Sequence, residues 1–169
     1  GPPGTGKTTL ATVIAKITRR PFITLSAVTS GVKDIREVLD RSRSAFRLGQ
    51  PAHILFIDEV HRLNKAQQDV LLPFLEEGSI RFIGATTENP SFEINNAIAS
   101  RSMIFKFNPL SKPELLRIVQ RAAKQYPNVQ EEVLEKIAEA SLGDARRALT
   151  LLEHLSLSTE PGKKVGLED

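Results

Sequence analysis

The chain has 169 residues, enough for one domain or one domain plus a small satellite. It is 40% hydrophobic and 25% charged, an ordinary globular composition that argues against a disordered or fibrous chain, and no apolar run approaches the roughly 18 residues of a membrane span. Cysteine is absent, which excludes disulfides and thiolate metal sites and fits an intracellular protein, while 23 basic against 20 acidic side chains give +3, faint support for a polyanionic partner.

The first residues already form a motif. Gly1-Pro2-Pro3-Gly4-Thr5-Gly6-Lys7-Thr8 fits G-x-x-x-x-G-K-[ST], and no methionine precedes it, so the sequence reads as the interior of a longer protein. Glycines let such a loop turn tightly and aim its N–H groups at phosphate oxygens. Lys7 is placed to reach the β- and γ-phosphates, and the Thr8 hydroxyl to join a Mg²⁺ shell, with Thr9 beside it in the nucleotide-binding set. The motif expects a strand before the loop, and none is present in this sequence. A helix follows, with Leu10, Val13, Ile14 and Ile17 as its apolar face.

Phe22 to Ser26 reads as a strand, and Val32 to Leu48 as a helix with Ile35, Val38, Leu39 and Phe46 inward. The other face of that helix carries Lys33, Arg36, Arg41, Arg43 and Arg47, either a solvated face or a contact surface for phosphates or a neighbouring subunit. His53 to Ile57 is a continuous apolar run of the buried, parallel type and ends in Asp58-Glu59. The next helix has Asn64 as N-cap and Gly78 as its stop, and Pro73 inside it is expected to kink or shorten it. Ile80 to Ala85 is a strand, Ile94 to Ala99 a short helix, and Met103 to Phe107 a further strand. Strands alternating with helices predict an α/β fold with a parallel, helix-covered sheet.

Asn108-Pro109-Leu110 marks a boundary, after which no strand pattern occurs. Ser111 to Glu114 is a capping box, opening a helix to about Tyr126. Two more helices, from about Gln130 and from Asp144, complete a small all-α lid. The expected domains are a core over 1–108, a lid over 109–158 and a linker-like tail over 159–169.

A strand ending in Asp-Glu some fifty residues after a phosphate loop completes a nucleotide site. Asp58 would hold Mg²⁺, and Glu59 would orient and polarise the attacking water. His61 and Arg62 follow at once and are read as helix-entry or solvated residues with no chemistry. Three histidines and no cysteine indicate no zinc site.

These residues resemble the AAA+ ATPases, a P-loop NTPase fold in which the strand before the loop is central. The resemblance narrows at Asp58-Glu59-Val60-His61-Arg62-Leu63-Asn64-Lys65 and at Ile83-Gly84-Ala85-Thr86-Thr87-Glu88-Asn89-Pro90-Ser91-Phe92-Glu93. Both stretches look like the replication-associated recombination protein A family, which includes the eukaryotic Werner-helicase-interacting ATPase. Gly143-Asp144-Ala145-Arg146-Arg147 resembles the lid motif that clamp loaders share.

The resemblance implies further roles. Thr87 matches the sensor 1 position, with Thr86 as the alternative. Arg101 matches the arginine finger that enters a neighbour's site, and Arg146 matches sensor 2. Ser26 falls where some relatives restrain the catalytic glutamate, although a strand-end serine also forms turns. Implied as well are ATP and Mg²⁺, a homo-oligomer that is a tetramer in the full-length protein, replication and repair protein partners, and no membrane. The implied activity is ATP hydrolysis stimulated by DNA forks, ends and single-strand/duplex junctions. The alternatives are a clamp-loader subunit, a Holliday-junction branch-migration ATPase, or an inactive fragment of such a protein. Localisation follows the source: cytoplasm or nucleoid in a bacterium, nucleus in a eukaryote.

Overall fold

The computed structural model describes residues 1–158, and the expected tail lies outside the described residues. Two compact units are present. One is Lys7–Phe105; the other joins Gly1–Gly6 to the described residues from Lys106 onward.

In the first unit, α1 (Lys7–Thr18) leads to β1 (Phe22–Ser26), α2 (Val32–Arg47) and β2 (His53–Asp58). A single 3-10 turn, Val60–Arg62, then precedes α3 (Lys65–Glu77), β3 (Ile80–Gly84), α4 (Pro90–Glu93) and α5 (Asn96–Ala99). The strands lie in the order β1-β2-β3, all parallel, with Leu25 opposite Ile57 and Ile57 opposite Gly84. Between two partners β2 is buried on both faces, which is why its sequence is apolar without alternation. Successive side chains still point to opposite faces. Leu55 and Ile57 join Ile35 and Leu39 of α2 and Leu71 and Phe74 of α3 on one side. Phe56 joins Ala11 of α1 and Ala85 on the other, stacked on Phe22 with ring centroids 5.9 Å apart.

Most of the expected elements form where the pattern puts them. Asn64 caps α3 by accepting the Gln67 N–H at 2.9 Å, while the Gln67 side chain accepts the Asn64 N–H at 2.7 Å. Pro73 does not shorten that helix, which runs on to Glu77 and ends at Gly78.

Two expectations are corrected. Met103–Phe107 is not a strand, and Met103, Ile104 and Phe105 are 81%, 62% and 74% exposed. A β-prone run becomes a strand only when a neighbour supplies its ladder, and this run has none among the described residues. The second correction concerns α1, which forms but seats on the sheet through Ala11 and Ala15. Leu10, Val13, Ile14 and Ile17, expected inward, are exposed. The small Ala11 side chain packs in one cluster with Phe56, so the larger residues are turned away from the sheet.

In the second unit, α6 (Lys112–Ala123), α7 (Glu131–Ala140) and α8 (Ala145–Ser158) enclose their own core. Leu115, Val119, Val133, Leu134, Ile137, Ala148 and Leu152 form it. Among the described residues no helix is long and apolar enough to cross a membrane.

Candidate nucleotide site

The phosphate-loop residues have the conformation that the motif demands. Gly4 and Gly6 have φ of +65° and +88°, where a side chain is strained. A Cβ on Gly6 would meet nothing within 4 Å, so this part of the backbone is open to an approaching phosphate. At Gly4 the reverse holds: a Cβ would sit 1.7 Å from Asp144 Oδ1. The carbonyl of Gly4 accepts the Ala145 N–H at 3.0 Å, so the loop abuts the start of α8. Thr5 is buried and donates its hydroxyl to the Pro2 carbonyl at 3.0 Å, which braces the turn. Lys7, Thr8 and Thr9 open α1, which has no acidic residue in its first turn to offset the positive end of the helix.

The acidic pair hangs from the end of β2. Register sets Ser26 opposite Asp58, and the Ala85 N–H bonds to the Ile57 carbonyl at 2.9 Å, so three strands finish together. In parallel sheets this carboxyl edge is where ligands bind. Asp58 Oδ1 accepts the Glu59 N–H at 3.0 Å. Glu59 is in the left-handed region, with φ 49° and ψ 48°. A glutamate there is uncommon and marks a turn held by its surroundings.

That turn aims Glu59 at the end of β3. Thr87 Oγ1 donates to Glu59 Oε2 at 3.4 Å. His61 Nδ1 lies 3.3 Å from the same oxygen and 2.8 Å from Thr86 Oγ1. Thr86 Oγ1 also accepts the Glu88 N–H at 3.0 Å. Thus Glu59, Thr87 and Thr86, all expected from the sequence, come together, and His61, to which no chemistry was assigned, joins them.

Other expected residues make different contacts. Arg101 donates to Glu76 Oε1 at 2.8 Å and to the Ala97 carbonyl at 2.9 Å, and its side chain is exposed. Arg146 is exposed in the first turn of α8, in the second unit. Ser26 Oγ accepts the N–H groups of Val28 and Thr29, at 3.3 and 3.4 Å, and so acts as a turn former. Gln68, to which the sequence reading assigns no role, is buried and donates to the Leu63 and Glu93 carbonyls at 3.1 and 2.9 Å. It also accepts the Asn95 N–H at 2.7 Å and so anchors the segment after the threonines. Its only local signal is a polar residue on the apolar side of α3.

The donor set suits Mg²⁺ that arrives with a nucleotide. Among the described residues no group of three or more His, Cys, Asp or Glu side chains could cage a metal. Asp58 and the Thr8 hydroxyl would supply oxygen donors to such an ion, with phosphates and water as its remaining ligands.

A parallel sheet with a phosphate loop before α1 and an acidic pair after β2 defines a P-loop nucleotide-binding protein. The family model "ATPase family associated with various cellular activities (AAA)" matches residues 1–110. The chain belongs to that AAA family.

Its relatives are those to which the sequence resemblance pointed. Replication-associated recombination protein A of Haemophilus influenzae is 47% identical over 98% of this chain. ATPase WRNIP1 of Dictyostelium discoideum is 48% identical over 90% of it. The chain spans 39% of the former protein and 18% of the latter. Among solved structures, the Thermotoga maritima RuvB Holliday junction branch migration motor superposes with a TM-score of 0.82 at 30% identity. That match covers 99% of this chain and 57% of the motor.

Proposed function

We propose that this chain is the ATP-hydrolysing module of a protein that acts on DNA in replication-fork maintenance, recombination and repair. The observation that carries the chemistry is the Glu59 carboxylate, held at the end of β2 by Thr87 in a chain of the AAA family. The DNA role rests on 47% identity to a replication-associated recombination protein.

In this reading Gly1 to Thr9 bind the phosphates and Lys7 neutralises them. Thr8 and Asp58 would hold Mg²⁺, which would supply positive charge to offset that of the phosphates. Glu59 accepts a proton from water as the water oxygen bonds to the γ-phosphorus and the bond to the bridging oxygen breaks, releasing ADP. Thr87 steadies that glutamate and the water. Arg101 acts in trans, in a homo-oligomer assigned as a tetramer, and Arg146 acts as sensor 2. We assign residues 1–108 to the ATPase core and 109–158 to the lid. Forks, ends and single-strand/duplex junctions are the assigned DNA substrates, and replication and repair proteins the assigned partners.

The test is ATP hydrolysis by the full-length protein with and without forked DNA, beside Glu59→Gln. Hydrolysis that rises with forked DNA and is lost in Glu59→Gln is expected. No hydrolysis in either condition, with the variant indistinguishable, overturns the proposal. The fold match to a branch-migration motor favours one second reading. Movement of a synthetic four-way junction by the purified protein would select that reading instead.

A further inference from the structure

The second contact on the glutamate leads beyond the residues assigned above. We infer that His61 is a positioning residue for hydrolysis: its imidazole, anchored through Nδ1 on Thr86, lies against Glu59 Oε2 and so limits the direction of the carboxylate. The inference rests on the ATPase reading and adds to it a residue outside the phosphate loop, acidic pair, sensors and finger.

The hydrogen-bond inventory gives the orientation of the ring. We take the tautomer with the hydrogen on Nδ1, because a bare nitrogen would set its lone pair 3.3 Å from a carboxylate oxygen, which accepts and does not donate. Thr86 Oγ1 has two lone pairs. One takes the Glu88 N–H at 3.0 Å, and the other can take the His61 Nδ1–H at 2.8 Å. One ring nitrogen therefore spans two elements, the turn after β2 and the end of β3. The His61 side chain is only 17% exposed, against 37% for Glu59.

The backbone makes this hold stiff. His61 sits in the 3-10 turn, where the Arg62 N–H bonds to the Glu59 carbonyl at 2.9 Å and the Val60 N–H to the Ala85 carbonyl at 2.9 Å. Turn and strand end thus move as one piece, and the imidazole closes the ring between them. The other restraint on the glutamate, from Thr87, is longer at 3.4 Å and more exposed. Glutamate has three rotatable side-chain bonds. Without His61 its carboxylate samples directions that do not face a water in line with the phosphorus.

Steady-state ATPase and nucleotide binding of the full-length protein test this in wild type, Glu59→Gln, His61→Leu, His61→Asn and His61→Gln. Asparagine places an N–H donor where Nδ1 stands; glutamine places it one bond farther out. We expect His61→Leu to lower kcat roughly 10- to 100-fold, with the Kd for ATP changed less than about twofold. His61→Asn recovers most of the rate and His61→Gln does not. Thr86→Val added to His61→Leu costs little more, because the same restraint is already lost. Wild-type kcat in His61→Leu overturns the inference, as does equal activity of the Asn and Gln variants. The Asn and Gln comparison decides the matter even if the leucine variant fails to fold. An active wild type with inactive Glu59→Gln and unaffected His61→Leu removes only this inference. A wild type that never hydrolyses ATP removes the reading beneath it.

Discussion

Gly4→Ala tests whether the phosphate loop is shaped by the start of α8. Two costs follow from the geometry. Gly4 has φ +65°, and an alanine in the left-handed region loses roughly 1 to 2 kcal/mol. The new Cβ would also fall 1.7 Å from Asp144 Oδ1 and 3.0 Å from its Cα, so the carboxylate must swing away. That carboxylate accepts the Arg147 N–H at 3.0 Å, and the Asp144 carbonyl accepts the Ala148 N–H at 3.1 Å, so Asp144 is the N-cap of α8. Losing its side-chain bond costs about 1 kcal/mol. Gly4→Ala should therefore destabilise the protein by roughly 2 to 3 kcal/mol, and Asp144→Ala alone by about 1 kcal/mol. In the double variant the cap is already gone and the clash relieved, so the total stays near that of Gly4→Ala alone. The coupling is then about 1 kcal/mol. Urea unfolding of the three variants at a common m-value measures it. Strict additivity, or a Gly4→Ala cost below about 0.5 kcal/mol, would refute the reasoning.

Other consequences can be checked separately. Leu39 is fully buried between α2 and the sheet, so Leu39→Ala should cost about 2 to 5 kcal/mol in urea unfolding. Arg101 and Glu76 form an exposed ion pair, so Arg101→Ala should cost less than about 1 kcal/mol of stability while abolishing ATPase in the assembled protein. Retained hydrolysis in that variant would remove the finger assignment. Burial holds the His53 pKa below its ordinary value. Ser42 spends its hydroxyl hydrogen on the Val38 carbonyl, so neutral His53 donates to it from Nδ1. Below the ordinary histidine pKa the unfolded chain binds more protons than the folded one. Stability is therefore full above that value and declines as pH falls from it toward the lowered folded pKa. Melting temperatures from pH 7.5 to 5 should show that decline, and His53→Asn should flatten it.

Local patterns were enough to read much of this molecule. The α2 stripe of Ile35 and Leu39, the apolar β2 run and the Asn64 cap each act through neighbours in sequence, and each forms as expected. Thr87 was reached through a resemblance, and it does contact Glu59. What stayed hidden depends on distant partners. Met103–Phe107 has strand chemistry but no ladder among the described residues, and the α1 stripe has the right period but is exposed. The left-handed turn at Glu59 is not encoded by a glycine or asparagine, so nothing in the residue type announces it. His61 looked like a helix-entry residue because its partner Thr86 is 25 positions away.

The ends of the strands also imply an uneven response to heating. β2 has a strand on each side and is buried on both faces. Amides of His53–Asp58 should then exchange with deuterium late in this unit. The acidic pair is rooted in that strand, whereas Thr86 and Thr87 lie beyond the last residue of β3, in the loop that follows. Fraying of that loop would carry the two threonines away while Asp58 and Glu59 stayed in place. Loss of water-orienting geometry would therefore precede global unfolding, and ATPase would fade on heating before the secondary structure does.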